Sequence, residues 1–480
     1  MPALVVNRVQ GQYSPVKISV PDVGGGKTRK PKSADFIKDK STLRLSKTIN
    51  RQILQLALPN IITNLTVPLL GMADFALMGH LKANSAIYVG AIALGTTIFN
   101  VLYMSLGFLR MGTSGFTAQA FGAKNKQNIS LGLQRSLLVA FLLAFGLILF
   151  QYPIQWLAFK LLDGSQEVKN LARQYFYIRI LAAPATLALY SFYGWFLGMQ
   201  NAKIPMVIAI VVNSVNIVLN FVFVYAFHMT SNGVALASVI AQYSGLTLAF
   251  IFVKAKYKPY AKLLSRKIIM QKEGIMAFFR LNGDIFIRTL LLLFALSFFT
   301  SQSARLGNNT LAVNSLLFQF FFFFSYFADG FAYAGEALTG KAKGLQSKDL
   351  LRQTIRHLFL WGLAIALLTS LIYWGGLKYF MQVMTNNPEI LNLAKNYYLW
   401  VVFLPLTSLA AFIWDGVYVG VTASKAMRNT MIIASVFVFL PAFYLGFPYL
   451  QINGLWLALH LFMISRGVSM WIIAPKTVYV

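Results

Sequence analysis

Apolar runs of roughly 20 residues, the length of a helix that crosses a bilayer, recur down the chain. About twelve can be delimited, beginning near Gln52, Ala86, Ile129, Val168, Ile204, Gly233, Asp284, Asn309, Arg352, Leu391, Met427 and Asn453. Membrane strands would give alternating segments of about ten residues instead, so the pattern predicts helices. Polar positions in the first run are not scattered. Stepping by threes and fours back from Asp74 gives Gly71, Val67, Asn64 and Asn60, and forward gives Met78. These share one helical face, while Ile61, Leu65, Leu69, Met72 and Phe75 fall on the other. A carboxylate in hydrocarbon costs about 2.5–3.5 kcal/mol even on the lenient insertion scales. Asp74 is therefore expected to face a cavity and not lipid. Pro59 and Pro68 remove backbone hydrogen bonds from the same helix and permit a bend.

Composition supports this reading. Of 480 residues, 58% are hydrophobic and 11% charged, whereas a soluble chain carries about 25% charged residues. An all-α integral membrane protein is expected. The net charge of +29 points to topology and not to nucleic acid, because Lys and Arg resist translocation and collect in cytoplasmic loops. Lys124 and Lys126 follow the second run, Lys203 the fourth, KAKYKPYAKLLSRK the sixth, KAKGLQSK the eighth and SKAMR the tenth. HMTSN and PYLQING, on the alternate side, hold neither Lys nor Arg. Both termini are thus expected in the cytoplasm, with the chain in the plasma (inner) membrane and its positive excess suited to anionic lipid headgroups. The chain has no cysteine, which excludes disulfides and thiolate metal sites. His80, His228, His357 and His460 lack metal-ligand spacing, and no nucleophile elbow or zincin motif occurs. Neither an enzyme, a metal centre nor an organic cofactor is expected.

Residues 1–48 differ from the rest, being basic, polar and rich in Gly, Pro, Ser and Thr. They lack the apolar core of a signal peptide and are expected to form a disordered cytoplasmic tail. GGGKT within them lacks the glycine that a phosphate-binding loop needs five residues before Gly26, where Pro21 stands.

The remainder reads as a duplication. YGWFLGMQNAK (193–203) is similar to DGVYVGVTASK (415–425), pairing Gly194 with Gly416, Gly198 with Gly420 and Lys203 with Lys425 at an offset of 222. GFLRMG from Gly107 pairs with GFAYAG from Gly330 at 223, and NGVALA from Asn232 with NGLWLA from Asn453 at 221. Six helices per copy give both halves the same orientation, related by an axis along the membrane normal, with a site between them near mid-membrane. The expected division is an N-terminal lobe over 49–253, a basic cytoplasmic linker over 254–280 and a C-terminal lobe over 281–480. A duplicated scaffold that transports nothing is the competing reading.

Further polar faces follow. Asn213, Asn216 and Asn220 share a face of the fifth helix, Ser238 and Gln242 one of the sixth, and Tyr175 and Arg179 lie one turn apart on the fourth. Such groups can simply join helices, at about 0.6–2 kcal/mol per bond. That is the reading for Asn213; for Asn216 and Asn220 a place in a network around Asp74 stands beside it. In the eighth helix Tyr326, Asp329, Tyr333 and Glu336 share a face, and the tenth holds Asp415 beside Trp414. Glu336 is read first as a solvated charge at the cytoplasmic edge near Lys341, with Asp329 and Asp415 deeper.

With ALPNIITNLTVPLLGMADFALMGHL, TAQAFGAKN, FLGMQNAKIPM, NSVNIVLN, DGFAYAGEALTGKAKG and WDGVYVGVTASKAMRN, residues 45–475 resemble the multidrug and toxic compound extrusion (MATE) transporters, specifically their DinF-like branch. The resemblance implies a V-shaped antiporter that expels amphipathic, often cationic, compounds in exchange for protons or sodium. It puts Asp74 on the family's first-helix acid, which binds the coupling ion, and Pro59 on a proline at which some relatives bend. Tyr175, Asn216, Asn220 and Ser238 match a polar cluster around that acid. Asn220 stands where relatives often carry Asp, and Ser238 where Thr is common. The seventh helix, RTLLLLFALSFFTSQ, lacks the Glu found in relatives with a C-terminal sodium site, so Asp415 matches the tenth-helix acid without its partner.

These expectations combine into a proton-coupled exporter that acts as a monomer. Asp74 exchanges the proton, Asn64 joins the network around it, and Met78, Asn60 and Gln242 line the substrate cavity. Asp329, Glu336 and Asp415 supply negative charge in the second lobe. Sodium coupling, export of organic acids and flipping of a lipid-linked oligosaccharide are the alternatives.

Overall fold

Among the described residues, twelve helices of the computed structural model are long and apolar enough to cross a membrane, and no strand occurs. The structure describes residues 32–79, 85–260, 262 and 264–480, with side chains from residue 46 onward except those of 73, 75, 76, 78 and 79. Helix α1 is Lys32–Gly79, apolar over Ser46–Met72. The other spans of the N-terminal lobe are α2 (Ser85–Gly122), α3 (Lys126–Leu149), α4 (Gln166–Gly198), α5 (Lys203–Ala226) and α6 (Ser231–Lys256). The C-terminal lobe holds α7 (Lys272–Arg305), α8 (Asn308–Gly344), α9 (Lys348–Met384), α10 (Tyr398–Gly420), α11 (Ser424–Leu450) and α12 (Ile452–Thr477).

Three boundaries differ from the sequence reading. α7 starts at Lys272 and not near Asp284, because KEGIMAFFRLNG carries charge that an apolar pattern rejects but a helix accepts. Leu391 belongs to a separate short helix, Pro388–Lys395, and α10 begins after it. Pro388 stands at the N-terminus of that helix, where its missing N–H would have had no partner. α1 begins at Lys32, inside the expected tail; residues 1–31, GGGKT among them, lie outside the described residues. Three spans are interrupted, α11 by a π-helical stretch over Ile433–Phe439. α2 breaks at Leu106–Gly107, and α4 passes through a 3-10 turn, Ile180–Ala182, just before Pro184.

Close backbone contacts display the duplication. A β-carbon at Gly194 would stand 2.2 Å from the Arg110 carbonyl oxygen, and one at Gly416 2.1 Å from that of Ala332. A β-carbon at Gly122 would stand 2.2 Å from the Lys341 oxygen, and one at Gly344 2.1 Å from that of Gln119. Only glycine permits such approach. Both pairs of contacts repeat at an offset of 222. The 223 offset of GFLRMG with GFAYAG is therefore one residue out of register: Arg110 corresponds to Ala332, and Thr117 to Thr339. Asn60 and its copy Asn282 behave alike, donating to Leu56 O at 2.7 Å and to Phe278 O at 2.8 Å.

The last turns of α2 and α8, which lead into lysine-bearing loops, are where Gly122 and Gly344 bring the two lobes together. Ile53 and Leu56 of α1, Leu109 of α2, Ile285 of α7 and Phe331 and Ala337 of α8 share one buried core there. Elsewhere the lobes keep separate cores: Ile92, Phe99 and Phe176 in the first, Phe299, Leu317 and Trp456 in the second. Between α6 and α7 the linker is held against α3. Ser130 Oγ donates to Tyr260 O at 2.7 Å, Gln134 Nε2 to Lys262 O at 2.8 Å, and Arg135 Nε to Ile269 O at 3.0 Å. Gln134 also accepts from Leu264 N at 3.1 Å.

Candidate functional site

The polar stripe on α1 ends at a hydrogen-bonded chain inside the N-terminal lobe. Asp74, half-buried, accepts from Asn220 Nδ2 at 2.6 Å. The same amide nitrogen donates to Asn216 Oδ1 at 2.9 Å, and Asn216 Nδ2 to Ser238 Oγ at 2.8 Å. Asn216 and Asn220 lie one turn apart on α5, both buried. Three helices thus meet at one carboxylate through neutral donors, and Asp74 forms no ion pair among the described residues. Arg179 of α4 acts on it only through space.

The other first-lobe candidates divide. Tyr175 is buried, but its ring packs against Phe99 and fills the space beside Gly95; it does not bond to the chain. Asn64 does not join the chain either. Its Nδ2 donates to Tyr326 O at 3.1 Å, reaching from α1 to α8 in the other lobe. Asn60 is buried, with its Nδ2 turned onto its own helix as in Asn282. Gln242 is half-buried and apart from the chain, and the side chain of Met78 lies outside the described residues, as does His80. α1 continues as helix through both Pro59 and Pro68.

In the C-terminal lobe every candidate acid is attended by arginine. Asp415 Oδ2 accepts from Arg288 Nη2 of α7 and, at 2.6 Å, from Arg466 Nη2 of α12. All three are buried. Glu336 is 1% exposed and pairs at 3.3 Å with Arg110 of α2. It is not the solvated edge charge of the sequence reading, because the α8 face that carries it turns toward the first lobe and away from Lys341. Asp329 forms no ion pair among the described residues, but Arg110, Arg288 and Arg466 all act on it through space. A fourth carboxylate, Asp284, pairs with Arg428 at 2.6 Å and accepts from Ser424 at 2.8 Å.

Arg110, Arg466 and the pairing of Asp284 escaped the sequence reading. The available signal was simple: GFLRMG, FIRTLL and MISRGVSM each hold a lone arginine in an apolar run. Charge so placed is paired or functional by default. No group of three or more metal-ligating His, Cys, Asp or Glu side chains exists among the described residues.

Twelve membrane helices in two like-oriented copies, with buried polar clusters in each, define a transporter of the MATE fold. The family profile for MatE matches residues 59–222 and again 285–444, and the chain belongs to that family: it is a multi-pass membrane transporter, not an enzyme. It is 38% identical to DNA damage-inducible protein F of Escherichia coli (strain K12), over 88% of this chain and 91% of that protein. With Protein DETOXIFICATION 45, chloroplastic, of Arabidopsis thaliana it shares 26% identity, over 88% of this chain and 77% of the relative. The crystal structure of the Vibrio cholerae MATE transporter VcmN in the bent form superposes with a TM-score of 0.79 at 19% identity, covering 91% of this chain and 98% of VcmN.

Proposed function

We propose that the protein exports amphipathic, cationic compounds in exchange for protons, with Asp74 as the group that carries the proton. The observation that carries this reading is the Asp74–Asn220–Asn216–Ser238 chain. A carboxylate held by neutral amides can lose its charge without leaving a buried cation behind, whereas a carboxylate bound to arginine cannot. Proton uptake would weaken the charge-assisted bond from Asn220 and free α1 to bend at Pro59, moving the stripe that faces the substrate path. Sodium is less well served. Asn220 takes the place of a second acid beside Asp74, and two guanidinium groups occupy Asp415 where a bound cation would otherwise sit.

In this reading the protein lies in the inner membrane as a monomer with both termini cytoplasmic, its lysine-bearing loops against anionic headgroups, and it takes neither nucleic acid nor an organic cofactor. The test is efflux of a fluorescent lipophilic cation from liposomes holding the full chain. A proton gradient should drive it and a sodium gradient should not. Asp74→Asn should abolish it while inserting normally; full proton-driven efflux by that variant would refute the reading.

One observation favours a second reading. Arg288 and Arg466 both donate to Asp415, and guanidinium groups that share one carboxylate suit an organic acid. Competition of citrate against the cationic dye separates the two.

A further inference from the structure

Arg110 is the one N-terminal residue in the arginine cluster, and its partners lie on the opposite lobe. Its guanidinium carbon stands 3.9 Å from the centroid of the Tyr333 ring, and Nη1 stands 3.3 Å from Glu336 Oε2. Asp329, one turn before Tyr333 on the same α8 face, acts on it through space. An aromatic face, an adjacent carboxylate and a second acid nearby make the chemistry that holds a flat organic cation. The protein's own side chain is the occupant here.

We infer that the α8 face Asp329–Tyr333–Glu336 is a cation-binding subsite that Arg110 fills while the lobes touch at the ends of α2 and α8, and that a lipophilic organic cation fills when they part there. The inference rests on the export reading above and names where the cargo's charge sits in the second lobe.

Three further observations support it. The register of the duplication puts Ser114 where α8 has Glu336, and Met111 where it has Tyr333. The ring and the acid therefore belong to one lobe and the tethered cation to the other, so any movement between lobes at this level draws Arg110 off its seat. Glu336 Oε1 takes no hydrogen bond from Arg110, and the buried Ser114 hydroxyl of α2 acts on this carboxylate, so both groups that attend the acid belong to the opposite lobe and leave it when the lobes part. Tyr190 lies close enough to interact electrostatically with Arg110, Tyr103 and Tyr333, which adds aromatic surface beside the seat. Withdrawing Arg110 with nothing in exchange would strand a buried carboxylate, and an arriving cation removes that cost.

The experiment is equilibrium binding of tetraphenylphosphonium to the purified full-length chain. Arg110→Gln should tighten binding about tenfold by removing the tethered competitor. Adding Tyr333→Leu to it should erase that gain, and Tyr333→Phe should preserve it. Unchanged or weaker binding by Arg110→Gln overturns the inference, as does a gain that survives Tyr333→Leu. A second measurement avoids disturbing Arg110. Gln119 and Thr422 touch across the lobes at 3.0 Å, and the chain has no cysteine of its own. Bridging the Gln119→Cys, Thr422→Cys pair with a short bis-methanethiosulfonate reagent should hold Arg110 in place and weaken binding at least about tenfold, reversibly on reduction; undiminished binding by the bridged form overturns the inference. Asp74-dependent efflux with binding indifferent to Arg110 and Tyr333 refutes the subsite alone. Absence of tetraphenylphosphonium binding from wild type and all variants refutes the subsite and cation export together.

Discussion

The two lobes share a backbone plan and differ in what surrounds their buried acids. In the first, Asp74 is held by an amide that bonds to a second amide, which bonds in turn to a hydroxyl. In the second, Asp415 lies between two arginines and Glu336 lies against a third. Duplication kept the glycine contacts of α2 with α4 and of α8 with α10, since a side chain there would collide with backbone. It did not keep the polar residues: at the 222 offset Ser114 corresponds to Glu336 and Tyr193 to Asp415. The comparison teaches a division of labour. An acid among neutral donors can change charge in place, while an acid among guanidinium groups is fixed in charge unless something else moves.

The strongest way to break this comparison is to exchange one acid from each cluster for its amide. Asp74→Asn should reduce proton-driven efflux to background with little loss of stability, because Asn220 and Asn216 retain an uncharged partner; a gradient-driven dye assay beside a thermal unfolding curve checks both. Asp415→Asn should show the reverse emphasis. It leaves two buried arginines uncompensated and should cost about 3–5 kcal/mol of stability, read as a clear drop in unfolding temperature in detergent. Equal behaviour of the two variants in both assays would remove the distinction between the lobes.

Asn220→Ala sharpens the comparison at intermediate size. Losing a hydrogen bond to a charged group costs about 1.5–3 kcal/mol, so efflux should fall partway toward that of Asp74→Asn. Ser238→Ala, at the far end of the chain, removes a neutral bond worth about 1 kcal/mol. Its transport should stay within a few-fold of wild type, and a full loss would show that the chain acts as one unit.

How much of this molecule is legible in its sequence depends on how far each interaction reaches along the chain. The twelve spans and the α1 stripe depend on neighbours within a few turns, so hydropathy and periodicity suffice for them. Helix faces single out Asn216, Asn220 and Ser238, and resemblance to a family ties them to Asp74. The arginine partners cannot be read this way: Arg110 and Glu336 are 226 residues apart, and Arg288 and Asp415 are 127 apart. Pattern places each of them on a helix without saying which helix faces it. Asn64 fails for the same reason. It lies on the Asp74 stripe, but its amide is taken by a carbonyl of the other lobe. Asn60 gives its Nδ2 to a carbonyl of its own helix, a use of a buried amide that spacing alone does not distinguish from facing a cavity. The register of GFLRMG fails because two glycines that look paired pack on different neighbours, Gly112 on Asn282 and Gly335 on Leu358.

The strapping of the linker to α3 limits how the machine can travel. Because Ser130, Gln134 and Arg135 hold Tyr260, Lys262, Leu264 and Ile269, the linker is cargo of the first lobe and not slack between the two. Met270 and Gln271 alone separate it from α7, which begins at Lys272, and their N–H groups donate back to Arg266 O and Ile268 O. Three residue steps reach at most about 10 Å fully extended. The near ends of α3 and α7 therefore stay within a fixed radius through the cycle, and the large excursions must occur at the far ends of the helices. A hinge placed beside one rim of the membrane lets small rotations there become wide openings at the other.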